Sequence, residues 1–183
     1  MKELSLNVLD LAQNSITAGA SLLEIELLED PASDLLTLRI RDNGCGMSEE
    51  QLRQVTDPFT TSRQTRRVGL GIPLAKLAAE QSGGTFRMES EVGKGTLVEA
   101  TFGLTHIDRP PVGNMAATLL TLLQSAESFS LLYRHSRASE SFELSSDALR
   151  EILGDVPLSE PEVLAWLLDY IRQGEASLET EIE

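Results

Sequence analysis

Asp42-Asn43-Gly44-Cys45-Gly46 sets an acidic residue against two flexible glycines, an arrangement that needs a reason. Asn-Gly is also an ordinary turn pair, and taken alone the pentapeptide leaves a solvated bend open. Three other stretches offer matching chemistry. Asn7, Asp10 and Asn14 fall at i, i+3 and i+7 and share one helical face, which taken alone leaves a solvated polar stripe open. A basic, Thr-rich loop containing Phe59, Arg63, Arg66 and Arg67 runs into Gly69-Leu70-Gly71 at a helix start, with Pro73 in the first turn. Unpaired N–H groups at such a start form a phosphate seat. Finally, the glycine turn Gly93-Lys94-Gly95 delivers Thr96 into a strand.

The surrounding periodicities show how these residues are held. Leu23, Ile25 and Leu27 alternate with Glu24 and Glu26, and Leu36, Leu38 and Ile40 alternate with Arg39 and Arg41. Opposite charges on the outer faces suit an antiparallel pair. Counting on by two from Ile40 lands on Asp42, which therefore points inward. A buried carboxylate without partners costs several kcal/mol, so Asp42 needs a donor, and a ligand could supply it.

Residues 1–106 read as helix, strand, strand, short helix, loop, helix, strand, strand: a mixed α/β layer. Residues 107–113, with Pro110-Pro111 and Gly113, read as a linker. Residues 114–183 read as a small α+β domain: an apolar helix, a hairpin and two helices. The last helix has Ser159 and Glu162 at capping-box spacing, a stripe of Val163, Leu167, Tyr170 and Ile171, and Gly174 as its stop. Trp166 neighbours that stripe and is expected in the core.

Composition narrows the function. The 183 residues carry net charge −14, and residues 108–183 hold 5 Lys/Arg against 14 Asp/Glu. Such a surface repels phosphate backbones and anionic lipid, so nucleic acid and membrane are poor partners, and a protein docking on the acidic segment would be basic. Cys45 is the only cysteine and His106 and His135 the only imidazoles, which excludes a disulfide and a cysteine-based metal cage. The absence of a long apolar run or signal-peptide pattern gives a cytoplasmic expectation. The third glycine of the dinucleotide fingerprint and the Gly-Lys-Ser/Thr ending of a P-loop are both missing.

The order of these motifs resembles the ATP-binding domain of the GHKL superfamily, which unites gyrase, heat-shock chaperone, histidine kinase and mismatch-repair ATPases. GLGIPLAK is most similar to the histidine kinase branch, while NSITAGA resembles the mismatch-repair version of its motif. The resemblance implies a Bergerat-type two-layer α/β sandwich with ATP and Mg²⁺ between the helices and a lid. Asp42 would accept the adenine amino group, with Gly44 and Gly46 beside the base and Thr96 on the same aspartate or a bridging water. Asn14 would hold Mg²⁺. Gly69, Leu70 and Gly71 would cradle the phosphates, Arg63, Arg66 or Arg67 would neutralise them, and Phe59 would anchor the lid. Asp10 stands where many relatives place a water-activating glutamate one methylene longer. Arg67 replaces a lid glycine, and the phosphoacceptor helix has no counterpart. His135 is expected as a surface residue and Cys45 as a small packed one. The expected function is a signalling ATPase or protein kinase acting on a separate partner; the alternative is a nucleotide-gated interaction module.

Overall fold

A computed structural model of the protein describes residues 3–56, 70–126 and 128–179. The elements are α1 (Leu4–Thr17), β1 (Leu22–Asp30), β2 (Leu35–Asp42), α2 (Glu49–Thr56), α3 (Gly71–Gln81), β3 (Phe86–Glu91), β4 (Gly95–Gly103), α4 (Met115–Gln124), β5 (Ser130–Arg137), β6 (Glu140–Ser145), α5 (Ser146–Leu153) and α6 (Pro161–Glu179). Their order is the one the periodicities predict.

The alternating strands make one six-stranded sheet in the order β3-β4-β2-β1-β5-β6. β1 and β2 pair antiparallel, with Glu24 opposite Arg41 and Glu26 opposite Arg39. These charges stay on the open face, where Arg39 bonds Glu99 at 2.6 Å. Leu23, Ile25, Leu27, Leu36, Leu38 and Ile40 face the other way and are at most 2% exposed. Helices α1, α3, α4 and α6 pack over that face, which gives two layers around one core. Among the described residues no helix is long and apolar enough to cross a membrane.

The expected division at 107–113 meets a continuous sheet. β5 lies parallel to β1, so Leu23 is opposite Leu131 and Leu27 opposite His135. The physical reason is that β1 would otherwise end the sheet with a row of open backbone groups beside an apolar face. The segment read as a linker also packs. Pro111 and Val112 carbonyls accept from the Leu4 and Ser5 amides at 2.9 Å each, capping the start of α1. Thr118 of α4 then donates to the Ser5 carbonyl at 3.1 Å.

Three sequence expectations change here. Gly174 lies inside α6, which continues to Glu179. A Cβ at Gly174 would sit 2.2 Å from the Phe142 ring, so the residue is small for close helix–strand packing and does not stop the helix. Trp166 is 51% exposed, because Val163, Leu167 and Ile171 fill the inward face. His135 is 5% exposed, since it follows Leu131 and Tyr133 at the period of two and faces the core.

The buried His135 is held in an ionic cluster. Its Nδ1 lies 2.8 Å from Glu175 on α6 and its Nε2 lies 3.2 Å from Glu29 on β1. Glu29 also accepts from Arg137 at 2.8 Å, and Tyr133 donates to Glu175 at 2.8 Å. Burial opposes a charged ring, but hydrogen bonds and charge from Glu175 and Glu29 outweigh it and bring His135 up from 6.5 to about 9. The His135 hydrogen bond in turn holds Glu29 below the usual carboxylate range. With the folded value above the unfolded one, this contribution is complete below pH 6.5 and is lost as pH rises through about 9. Denaturant titrations from about pH 7 to about pH 10 should lose on the order of 3 kcal/mol of stability. His135→Gln should remove most of that dependence; an unchanged slope would show that the cluster is not the source.

Candidate functional site

The site grows from the ends of α1 and β2. Leu4, Val8, Leu11, Ala12 and Ser15 turn toward the sheet, which leaves Asn14 half-buried at the rim. Asp42 closes β2 on the buried face and is 8% exposed. It accepts from Ser15 Oγ at 2.6 Å on Oδ2 and from the Gly44 amide at 2.9 Å on Oδ1. A carboxylate offers about four lone-pair positions, so these two bonds hold it in place and leave acceptor capacity toward the cleft. The protein thus provides part of the satisfaction expected from a ligand.

Residues that sequence reasoning passed over do the positioning. Ser15 was detectable, for it continues the Leu11–Ala12 face by one turn. Asn43 Oδ1 accepts from the Ser21 and Leu22 amides at 2.9 Å each, tying the loop to the start of β1. Ser90 Oγ receives the Met47 amide at 2.9 Å. It also lies 2.9 Å from Thr96 Oγ1. Thr96 sits directly across from Asp42 in the sheet, yet its hydroxyl partner is Ser90 rather than the aspartate. Cys45 is exposed at the cleft and not packed, because its loop turns outward there.

The two glycines have different reasons. Gly46 has φ +65°, and a Cβ there would lie 2.0 Å from the Glu91 carbonyl. A Cβ on Gly44 would lie 2.9 Å from Ala18 and 3.0 Å from Asp42 Oδ1. Both keep the loop tight against its neighbours. Leu70 caps α3 with no side-chain hydrogen bond, so the first-turn amides lack that partner, and Leu70 itself is 74% exposed. Gly71 starts α3 against α1, where a Cβ would come 2.9 Å from Asp10 Cβ. Asp10 is exposed one turn before Asn14, whereas Asn7 is fully buried with both amide atoms unpartnered. The expected common polar face of Asn7, Asp10 and Asn14 is therefore split by the packing of α3 and α4 on α1. Phe59, Arg63, Arg66, Arg67 and Gly69 lie outside the described residues.

Between these elements is a cavity of about 560 Å³. Leu11, Ile40, Val55, Ile72, Met88 and Val98 give it apolar walls, and Asp42, Asn14, Ser15, Thr96 and Gln51 are among its polar groups. Its size and its convergent polar atoms are those of a small-molecule site. An acceptor at the end of an apolar slot fits a flat heterocycle carrying an amino donor, and the Asn14 amide oxygen fits a hard cation.

The sequence profile of the histidine kinase-, DNA gyrase B- and HSP90-like ATPases matches residues 1–106. The chain belongs to this ATPase family. Among curated relatives, the non-motile and phage-resistance protein of Caulobacter vibrioides is 32% identical over 111 residues, covering 56% of this chain. Sporulation kinase E of Bacillus subtilis is 30% identical over 102 residues, covering 55% of this chain. The match spans only 13% of each relative, so it concerns the ATPase-family domain and not their whole architecture. The crystal structure of the N-terminal domain of a DNA repair protein superposes with TM-score 0.51 at 15% identity. It covers 79% of this chain and 53% of that one, and shows a shared fold. The family's mixed α/β architecture is thus present here, with similarity to histidine kinases in the ATPase-family domain.

Proposed function

We propose that the protein binds Mg-ATP in the cleft between α1 and the ends of β2 and β4, and transfers the terminal phosphoryl group to water or to a separate protein partner. The observation that carries this reading is Asp42: a buried, oriented carboxylate at the end of an apolar cavity, with acceptor capacity left for an amino group. Adenine presents such a donor. Gly44 and Gly46 keep backbone close to the base, and Thr96 sits at the edge of the same slot through its bond to Ser90.

Asn14 would ligate Mg²⁺ through its amide oxygen, with water and nucleotide oxygens filling the other positions, as this ion prefers. When bound, Mg-ATP supplies the electrophilic phosphorus and charge neutralisation. The amides at the start of α3, beside Gly71, which receive no side-chain cap among the described residues, would hold phosphate oxygens, and Gly69, Arg63 or Arg67 would join them with Phe59 as the anchor. Asp10 would take the proton of the attacking hydroxyl. His135, sealed between Glu29 and Glu175, would play no part as an acceptor.

The deciding experiment incubates the protein with γ-labelled ATP and Mg²⁺, with and without partner proteins, and follows free phosphate and labelled protein. Product in either channel supports turnover. Tight ATP binding with neither product would instead select the nucleotide-gated interaction module. In calorimetry, Asn14→Ala should weaken ATP roughly 10-fold in excess Mg²⁺ and little in chelator, since its contact is to the ion. Equal losses in both buffers would make Asn14 a structural residue.

A further inference from the structure

The outer flank of α6 carries aromatic surface that the fold does not use. Trp166 and Tyr170, one turn apart, are 51% and 41% exposed. Their rings stack with centroids 5.3 Å apart and planes 12° apart. Tyr170 meets Phe142 of β6 edge-on at 5.6 Å, and Phe142 meets the buried Tyr133 at 6.3 Å. The indole is thus the outermost ring of a ladder rooted in the core, with one face stacked on Tyr170. Two turn-neighbours frame its exposed side: Glu162 four residues before and Asp169 three residues after. Both are exposed, and neither has an ion-pair partner among the described residues.

A stacked, half-exposed indole beside carboxylates that have no ion-pair partner among the described residues matches the recognition of a cationic side chain, by ring quadrupole and by charge. Aromatic anchors of this kind concentrate binding energy at protein interfaces. The wider field agrees, for residues 108–183 carry 14 acidic against 5 basic side chains. Anionic lipid and nucleic acid are repelled by the same field.

Resting on the reading that the protein acts on a separate partner, we propose that the Trp166–Tyr170 flank of α6 is the docking surface for a basic segment of that partner, with an Arg or Lys side chain lying on the free face of Trp166 between Glu162 and Asp169. This surface is separate from the cleft that holds Asp42, so docking and nucleotide binding are measured independently.

Trp166 is the sole tryptophan, and its emission therefore reports on this surface alone. The probe is a short peptide of alternating Arg and Ser, with a Glu-for-Arg peptide as its control, titrated into the full chain at about 0.15 M salt, where distant charges are screened. The Arg peptide should change Trp166 emission saturably and the Glu peptide should not. Anisotropy of a labelled Arg peptide should then show affinity falling about tenfold or more in Trp166→Ala and in Glu162→Lys/Asp169→Lys. The equal charge change Glu80→Lys/Glu89→Lys, on exposed residues elsewhere, should leave it nearly unchanged. Equal weakening by both charge reversals, or binding that leaves Trp166 emission unchanged, would overturn the proposal. Concentration-dependent dimers that Trp166→Ala abolishes would also overturn it, by making a second copy the occupant. ATP calorimetry on the same samples separates the two readings: peptide binding without ATP binding keeps the surface and removes the nucleotide function, and the reverse result removes the surface alone.

Discussion

Asp42→Ala is expected to lower ATP affinity by roughly 5- to 150-fold, the effect of losing an acceptor for a buried amino group at about 1 to 3 kcal/mol. The substitution also strips Ser15 Oγ and the Gly44 amide of their shared partner, so a fold control belongs beside it. Asp42→Asn supplies that control. Its carbamoyl group keeps the shape and can still accept one of the two internal bonds, but it turns a donor toward the base. Calorimetry should show normal thermal stability within about 1 kcal/mol, weakened ATP binding, and loss of the preference for ATP over GTP. Wild-type affinity in both variants would remove Asp42 from the nucleotide site.

The second large effect concerns rate. Asp10→Asn should cut single-turnover hydrolysis or phosphotransfer by about 10²- to 10⁴-fold, the usual worth of general-base help, while ATP affinity changes little. Asp10 is exposed on the turn of α1 before Asn14 and lies against the first residue of α3, so it borders the proposed phosphate position without filling the base slot. Asparagine preserves its volume there but cannot take a proton. A neutral imidazole acceptor on a partner would need this help less, since one ring nitrogen already carries a lone pair. A normal hydrolysis rate in the variant would exclude Asp10 as the base.

Local patterns made the first half of the fold readable. The alternation through Leu36, Leu38 and Ile40 turned Asp42 inward, and the Glu24/Glu26 and Arg39/Arg41 faces gave the pairing of β1 with β2. What escaped was non-local or degenerate. Nothing in the spacing of β1 shows that β5, more than a hundred residues on, lies parallel to it. Trp166 borders the stripe of Val163, Leu167, Tyr170 and Ile171, and only the packing of α6 left it, together with Tyr170, outside the core. His135 was misread despite a usable signal: Leu131, Tyr133 and His135 alternate as cleanly as β2 does, but the ring's polarity suggested solvent until Glu29 and Glu175 closed around it. Gly174 looked like a stop signal because a glycine made small for the Phe142 ring has the same letter as one made flexible for a cap. Within the site, Asp42 and Asn14 were legible as residue types on periodic elements. Ser90 and Asn43, which act through cross-loop bonds, were not.

The parallel pairing of β1 with β5 also sets an order of events during synthesis. When the ribosome has released the ATPase-family segment, Leu23, Ile25 and Leu27 exist but the strand that shields their outer edge does not. Until residues 130–137 emerge, the nascent chain carries an open, apolar strand edge of the kind that pairs with the wrong neighbour. Closing so long a loop is slow compared with forming α1 or the β1–β2 hairpin. The nucleotide cleft therefore rests on a scaffold completed late, and substitutions along β5 should be felt first as poor folding yield, well before any change in what the cleft binds.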